Sequence, residues 1–170
     1  MELQLSNKPG DQPFEQVQHY LNKLNFKVVS KDFGRPWGGF FVIDEAQAEN
    51  FAEEFFPEID FKSLQISEKL SPKLLVVAPD KRLSWQYHHR RAEIWTVLTG
   101  EVGVVTSDTD NEGALKTLKP GDEIKLKQGE RHRLVGLSQW AVLAEIWQHV
   151  DADNPSNEDD IVRVQDDFGR

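Results

Sequence analysis

Four side chains with metal-binding donor atoms lie in two short segments of the chain: Gln86, His88, Glu93 and His132. Two imidazole nitrogens, one carboxylate and one amide oxygen form a ligand set that suits a divalent first-row transition metal. Calcium and magnesium prefer all-oxygen ligands, so this set disfavours both of them. The two segments therefore predict a metal centre, and the ligand types favour an enzyme.

Strand geometry limits how these four side chains can meet. Gln86 and His88 are two residues apart, so in a strand they point to the same face. Glu93 follows His88 by five residues, so in one unbroken strand it would point to the opposite face. We therefore expect a turn or bulge near residues 90–92. His132 has to arrive from another strand. A histidine doublet beside arginines is also typical of a solvated strand face, so spacing alone leaves both interpretations open.

The first part of the chain predicts helices. Residues 13–24 and 45–56 carry apolar residues at helical spacing, with Pro13 at a first helical position. Asp44 is placed to cap the second helix, with Gln47 as its partner in a capping box.

From residue 62 onward the pattern changes to short apolar segments separated by turn residues. We expect strands at 74–78, 93–99, 101–106, 115–118, 124–127, 133–137 and 140–147. The two strands on either side of Gly100 are predicted to form a hairpin. Residues 151–159 are predicted as a loop or loose tail. Many short strands at close spacing are typical of a β-sandwich or barrel.

Composition narrows the class of protein. The chain has 170 residues, a net charge of -9 and 38% hydrophobic residues, as expected of one acidic globular domain. This charge opposes binding to nucleic acid or to an anionic membrane. The chain has no cysteine, which excludes disulfides and fits a reducing compartment. A polar N-terminus without a signal-peptide core, and apolar runs too short to span a bilayer, lead us to expect a soluble cytoplasmic protein.

Basic residues surround the proposed ligands although the chain is acidic. They are Lys81, Arg82, Arg90, Arg91, Arg131 and Arg133. Such a neighbourhood favours an anionic small ligand, such as a phosphate. Solvated strand faces, or ion pairs with the acidic segment 151–167, would account for the same charges.

A family resemblance supports the metal interpretation. The spacing Gln86-x-His88-x4-Glu93-x6-Gly100 resembles the first cupin motif, and Gly121-x7-Gly129-x2-His132 resembles the second. More specifically, residues 82–97 resemble the type II mannose-6-phosphate isomerases, which are often fused to GDP-mannose pyrophosphorylases. Residues 35–38 and 160–170 agree with the same family. The resemblance covers about residues 35–44 and 73–170.

The resemblance implies a fold and a division of the chain. The fold is a mainly β cupin double-stranded β-helix, a jelly-roll barrel with N-terminal helices. We expect an N-terminal extension of helices and strands over residues 1–61, a barrel core over 62–150 and an acidic segment over 151–170, all in one domain. The nucleotidyltransferase domain of the fused relatives is absent, so we expect a stand-alone form. Cupins commonly pair, and we expect a homodimer.

The resemblance also implies a function. This is the metal-dependent aldose–ketose isomerisation of a phosphorylated sugar, most specifically mannose 6-phosphate to fructose 6-phosphate through an enediol. The metal, held by Gln86, His88, Glu93 and His132, would stabilise the charge that develops on oxygen. Zinc is the family expectation, and the ligand set also allows iron, nickel, cobalt or manganese.

Other residues are assigned to the sugar phosphate and to catalysis. Arg91, Arg133 and Arg170 are the candidates for binding the phosphate. Arg91 and His89 are the candidate catalytic residues, although His89 has the strand parity opposite to that of His88. Among five tryptophans that could stack on a sugar ring, Trp95 shares the parity of Glu93.

The sequence departs from the family pattern at four positions. Arg90 and Ile94 stand where relatives usually carry histidine, and we expect both to change the rim of the pocket. Lys127 replaces the usual proline of the second motif, and Gly136 replaces a late asparagine.

Three alternatives remain open. They are a cupin metal dioxygenase, a non-catalytic sugar-binding cupin, and an isomerase of another sugar phosphate.

Overall fold

The computed structural model describes residues 1–6, 8 and 10–170. Asn7 and Pro9, which belong to the predicted N-terminal extension, lie outside the described residues. The described part contains helices α1 Pro13–Lys23, α2 Ala48–Phe55 and α3 Phe61–Leu64. Its strands are β1 Val28–Arg35, β2 Gly38–Ile43, β3 Lys73–Val77, β4 Trp85–Tyr87, β5 Arg91–Thr99, β6 Val102–Ser107, β7 Lys116–Leu118, β8 Glu123–Leu126, β9 Arg131–Gly136, β10 Ala141–His149 and β11 Val162–Gln165.

The strands form two antiparallel sheets. A six-stranded sheet has the order β1-β2-β3-β10-β5-β8, and a five-stranded sheet has the order β11-β4-β9-β6-β7. Neighbouring strands are often distant in sequence, as in a jelly roll. The predicted mainly β barrel with N-terminal helices is confirmed.

Two apolar cores lie on opposite faces of the six-stranded sheet. The inner core fills the space between the two sheets and includes Trp95, Val97, Val104, Leu134 and Leu143. The outer core packs the helices against the other face of the same sheet. Its helical members include Val17, Leu21, Phe51 and Phe55, and its strand members include Ile94, Val142, Ala144 and Ile146. Since side chains alternate along a strand, each strand in the middle of this sheet serves both cores.

The hairpin predicted around Gly100 is wrong. Strand β5 pairs with β10 and β8, whereas β6 pairs with β7 and β9, so the chain crosses from one sheet to the other at this glycine. Gly100 has a φ of 75°, and a Cβ there would lie 2.5 Å from the carbonyl oxygen of Trp140. The left-handed backbone and the close approach both require glycine.

Both predicted helices are present, but only part of the predicted capping is. The side chain of Asp44 accepts a hydrogen bond from the Ala46 amide, as a cap should, and a 3-10 turn at Glu45–Gln47 leads into α2. Gln47 does not complete a capping box. Its carboxamide bonds to the backbone of Lys27 and Asn25 instead, tying the start of β1 to this turn.

The segments that flank the barrel core also contribute strands. Within residues 1–61, β1 and β2 extend the six-stranded sheet beside β3. Within residues 151–170, β11 pairs with β4 and so lies next to the first proposed metal ligands. Across the described residues, no helix has both the length and the apolar character needed to cross a membrane.

Candidate metal centre

Three of the four predicted ligands meet inside the barrel. His132 lies on β9 of the five-stranded sheet, Glu93 lies on β5 of the six-stranded sheet, and His88 lies between β4 and β5. One donor atom from each falls within 4.8 Å of the others, and all three side chains are buried. The centre therefore bridges the two sheets.

The parity of Glu93 is explained by a bend rather than by a bulge within one strand. The chain bends at residues 89–90 and passes from β4 in one sheet to β5 in the other. The backbone amides of His89 and Arg90 donate to the two carboxylate oxygens of Asp160, at 3.0 and 2.9 Å. The predicted turn is thus present, and a residue about 70 positions away in sequence holds it in place.

The hydrogen bonds of the two histidines fix which ring nitrogen faces the centre. Nδ1 of His88 lies 2.7 Å from the carbonyl oxygen of Asp160, and Nδ1 of His132 lies 3.0 Å from that of Glu130. A carbonyl oxygen only accepts, so each Nδ1 carries the proton when the ring is neutral, and each Nε2 presents a lone pair. These two nitrogens lie 3.2 and 3.5 Å from the carboxylate oxygens of Glu93.

The electrostatics of the three residues suit a cation. Nε2 of His132 is buried and has no hydrogen-bond partner among the described residues. Burial lowers the pKa of His132 to about 4, so its ring is neutral at pH 7. Burial would raise the pKa of Glu93, but His88 and Arg91 outweigh it and hold that pKa well below the usual value. Two imidazoles and one carboxylate, with an orphaned buried nitrogen among them, fit a divalent metal.

Gln86 lies beside this group in a different orientation. Its Nε2 is 3.4 Å from Nε2 of His88, while its Oε1 accepts a hydrogen bond of 2.5 Å from the Ser84 hydroxyl. Turning the amide by 180° would direct the oxygen toward the centre, and the Ser84 hydroxyl could then accept from the amide nitrogen. Gln86 is thus within reach as a fourth ligand after that turn.

A cavity of about 80 Å³ adjoins the centre. Gln86 and Glu93 form part of its wall, as do Trp37, Trp95 and Trp147. Trp95, the tryptophan singled out from parity, also packs its ring edge-on against His132, with 5.6 Å between ring centroids.

A buried carboxyl that the sequence did not single out also lines this cavity. Glu145 on β10 accepts hydrogen bonds from the indole nitrogens of Trp95 and Trp147, both at 2.9 Å. Burial, with a contribution from the charge of Glu93, raises the pKa of Glu145 to about 7. Both protonation states are therefore populated near neutral pH. In the sequence, Glu145 sits within an apolar run, which conceals it.

The predicted catalytic residues are placed differently from each other. Arg91 is buried and lines the cavity, with Nε donating to Glu93 at 2.8 Å and a second nitrogen 3.3 Å from Nε2 of His88. Its guanidinium also stacks on Trp147, at 3.6 Å from the ring centroid. His89 is exposed, and its ring contacts Tyr87 on the face of the strand opposite to Gln86.

The other two predicted phosphate-binding arginines also differ. Arg170 lines the cavity and forms a two-point ion pair with Asp166. Arg133 is buried, and its guanidinium bonds to the backbone or side chains of Leu83, Glu112 and Gln165. The described cavity lining does not include Arg133.

The two positions where relatives usually carry histidine, Arg90 and Ile94, are placed differently in the fold. Ile94 points to the outer core, away from the cavity, and Arg90 is not among the described residues that line it. The expectation that the substitution at Ile94 changes the pocket rim is therefore wrong, whereas the same expectation for Arg90 stays a prediction. Alternation along β5 explains the result for Ile94, because its neighbour Glu93 faces inward.

Most of the chain matches a known protein family. Residues 44–166 match the family described as mannose-6-phosphate isomerase, C-terminal. The match covers well over half of the chain, and the chain belongs to this family.

Curated relatives are much longer proteins. Mannose-1-phosphate guanylyltransferase ManC of Salmonella typhimurium is 31% identical over 119 residues, which are 69% of this chain and 23% of that protein. Xanthan biosynthesis protein XanB of Xanthomonas campestris is 34% identical over 110 residues, which are 65% of this chain and 22% of that protein. The chain spans about a quarter of the length of these relatives.

A solved structure supports the fold. Oxalate decarboxylase from Bacillus subtilis superposes on 79% of this chain and 29% of that chain, with a TM-score of 0.57 and 14% identity. At this identity the likeness concerns the fold alone, which is the cupin double-stranded β-helix.

Proposed function

We propose that this member of the mannose-6-phosphate isomerase C-terminal family is a metal-dependent aldose–ketose isomerase that converts mannose 6-phosphate to fructose 6-phosphate. The observation that carries the proposal is the buried His88–Glu93–His132 group, whose Glu93 borders a cavity that Glu145 and several basic side chains also line. Family membership supports the reaction class.

His88, Glu93 and His132 would hold the metal, with Gln86 as a fourth ligand after its amide turns. Zinc is the metal we propose, because two imidazoles and a carboxylate are among its usual ligands. When bound, a divalent metal supplies positive charge that stabilises oxygen anions of the substrate and orients its hydroxyl groups.

Glu145 is the residue we assign to proton transfer. Isomerisation breaks the C2–H bond, forms a C1–H bond and moves a hydroxyl proton from O2 to O1, so one base can accept the proton at C2 and return it at C1. The carboxyl of Glu145 lines the cavity and is held in position by Trp95 and Trp147. His89 is exposed outside the cavity, and we assign it no step.

Arg91 positions the centre, and its positive charge borders the space where the substrate would lie. Its contacts with Glu93 and His88 keep a positive charge beside the ligands, and its place in the cavity wall allows it to stabilise charge on a substrate oxygen. Three of its nitrogen contacts go to Ser156, Asn157 and Asp160, which fix the guanidinium plane.

A sugar phosphate requires the cavity to widen. At about 80 Å³ it is smaller than a pocket for a drug-sized ligand, which measures roughly 300–1,000 Å³. Lys73 and the more exposed Glu158 both line the cavity, and they form an ion pair with 2.5 Å between Nζ and Oε1. We expect this pair to part when the substrate binds.

The test is a coupled assay for fructose 6-phosphate, run on metal-stripped and zinc-restored protein side by side. The proposal predicts turnover that depends on the metal. Binding of mannose 6-phosphate without turnover under any restored metal would favour a sugar-binding cupin. Turnover of a different sugar phosphate would correct the substrate, and oxygen consumption with an organic substrate would favour a dioxygenase.

A further inference from the structure

The lining of the cavity is basic although the chain as a whole is acidic. Five basic side chains border it, against three acidic ones. The basic residues are Arg35, Lys73, Arg91, Arg163 and Arg170, and the acidic ones are Glu93, Glu145 and Glu158. In a chain with a net charge of -9, an excess of positive charge at one cavity needs a specific explanation.

Four of these five cations already have a carboxylate partner. Arg91 pairs with Glu93 and Lys73 with Glu158, whereas Arg35 lies 3.0 Å from Asp32 and Arg170 lies 2.9 Å from Asp166. Arg163 differs, because it makes no ion pair within 4 Å and no side-chain hydrogen bond with any described residue. Its five N–H donors are therefore available to a ligand.

Arg163 lies close to two other guanidinium groups. Arg35, Arg163 and Arg170 border the same cavity, so their positive charges repel one another across it. An anion bound among them would relieve this repulsion. A phosphate suits the planar forks of arginine, since each fork can donate to two phosphate oxygens.

The position of Arg163 relative to the metal centre is set by strand pairing. On β11, Arg163 is the cross-strand partner of Gln86 on β4. Paired residues of neighbouring strands project to the same face, so Arg163 reaches the cavity beside the candidate ligand. Arg35 comes from the end of β1 and Arg170 from the C-terminus, so the three arginines approach from separate segments.

We propose that Arg35, Arg163 and Arg170 bind the phosphate group of the substrate, with Arg163 as its principal contact. The inference rests on the proposed function for the identity of the substrate. It replaces Arg133 among the residues considered from sequence, since the donors of Arg133 are already used by Leu83, Glu112 and Gln165. Arg91 remains near the metal end of the cavity, where its donors serve Glu93 and His88.

The experiment compares binding of inorganic phosphate, mannose 6-phosphate and mannose by calorimetry in wild type, Arg163→Ala, Arg163→Lys and Arg35→Gln. Arg82→Gln is the matched control, because Arg82 pairs with Asp167 and is outside the described cavity lining. We expect Arg163→Ala to weaken both phosphate ligands about ten-fold or more, since hydrogen bonds to charged groups carry such energies. Arg163→Lys should lose less, Arg35→Gln should also lose affinity, and mannose binding should not change.

Two results would overturn the assignment: wild-type affinity for both phosphate ligands in Arg163→Ala, or an equal loss in Arg82→Gln. The melting temperature of each variant shows whether it is folded. The measurement also separates this inference from the proposed function. A wild-type protein that binds phosphate through Arg163 but does not isomerise the sugar would refute only the isomerase, whereas an active enzyme whose KM is unchanged in Arg163→Ala would refute only the phosphate site.

Discussion

The two faces of the six-stranded sheet use the same strands for opposite purposes. On the outer face, Ile94 and Ile146 pack against helices in a purely apolar core. On the inner face, the residues that precede these two isoleucines, Glu93 and Glu145, are also buried. Glu93 contacts a guanidinium and an imidazole, and Glu145 accepts hydrogen bonds from two indoles. The outer face stabilises the fold, and the inner face holds a polar group that costs stability unless each donor and acceptor is satisfied.

This contrast explains where the chain concentrates its chemistry. A buried carboxylate among histidines is expensive when it is unpaired, and a bound metal offsets that cost. Substitutions on the inner face should therefore change metal binding and turnover, while substitutions on the outer face should change stability alone.

The largest effect is expected from loss of a ligand on the inner face. His132→Ala should lower metal affinity by more than the roughly 10- to 100-fold that loss of an outer-shell partner costs, and should abolish turnover. Metal content after dialysis, measured by mass spectrometry, tests this. His89→Ala is the control, because that exposed side chain lies outside the centre and should leave metal content unchanged. Full metal occupancy in His132→Ala would remove His132 from the ligand set.

The next effect should separate chemistry from metal binding on the same face. Glu145→Gln is expected to lower kcat about 100-fold or more, the usual contribution of a general base, with little change in KM or in metal content. Glu145→Asp keeps a carboxyl on a shorter side chain, so its kcat should lie between those of the wild type and Glu145→Gln. Steady-state kinetics with parallel metal analysis distinguish the cases. An unchanged kcat in Glu145→Gln would show that another group moves the proton.

A matched substitution on the outer face should act on stability only. Ile146 is completely buried between Glu145 and Trp147, and Ile146→Ala leaves a cavity in the outer core. We expect a loss of about 2–5 kcal/mol in the free energy of unfolding, measured by urea denaturation. At temperatures where this variant is folded, kcat should stay within a factor of about two to three. A large fall in kcat without unfolding would contradict the division between the two faces.

The smallest effect concerns the pH dependence of stability. His149 is fully buried between the Ser71 hydroxyl and the Ser156 amide, and burial, aided by nearby lysines and Arg91, lowers its pKa to about 4. In the unfolded chain its pKa is about 6.5, so between pH 6.5 and 4 the unfolded state binds the extra proton. The free energy of unfolding therefore has its full value, as far as His149 is concerned, above pH 6.5. It falls as the pH decreases toward 4, by at most about 3 kcal/mol.

Urea denaturation of metal-free protein across this range measures the effect, with His149→Gln as the comparison. His132 has the same sign in metal-free protein, so part of the slope should remain in the variant. An identical pH profile in His149→Gln would show that His149 does not contribute.

Sequence patterns predicted the outer face better than the inner one. Helical spacing located α1 and α2, and alternating or continuous apolar runs located most of the barrel strands. These patterns are local, and they report which side of an element is buried. They do not report which strands pair, and for this reason they predict a hairpin at Gly100, where the chain in fact crosses between the sheets.

The metal ligands were predictable because family motifs record their spacing. The residues that support them were not singled out, since their contacts join distant parts of the chain. Asp160 holds the bend at residues 89–90, Arg163 meets Gln86 across two strands, and Glu145 lies within an apolar segment. Each becomes recognisable only when the fold brings it to its distant partner.

The most direct test of the account follows the substrate itself. Mannose 6-phosphate is incubated in D2O with metal-stripped or zinc-restored wild-type protein, and NMR spectroscopy records both fructose 6-phosphate and deuterium at C1 and C2. We expect fructose 6-phosphate to form only in the zinc-restored sample, with hydrogen transferred between C2 and C1 by a protein base that can exchange with solvent. Unchanged mannose 6-phosphate in the presence of folded, fully zinc-loaded protein, or equal conversion without metal, would contradict it.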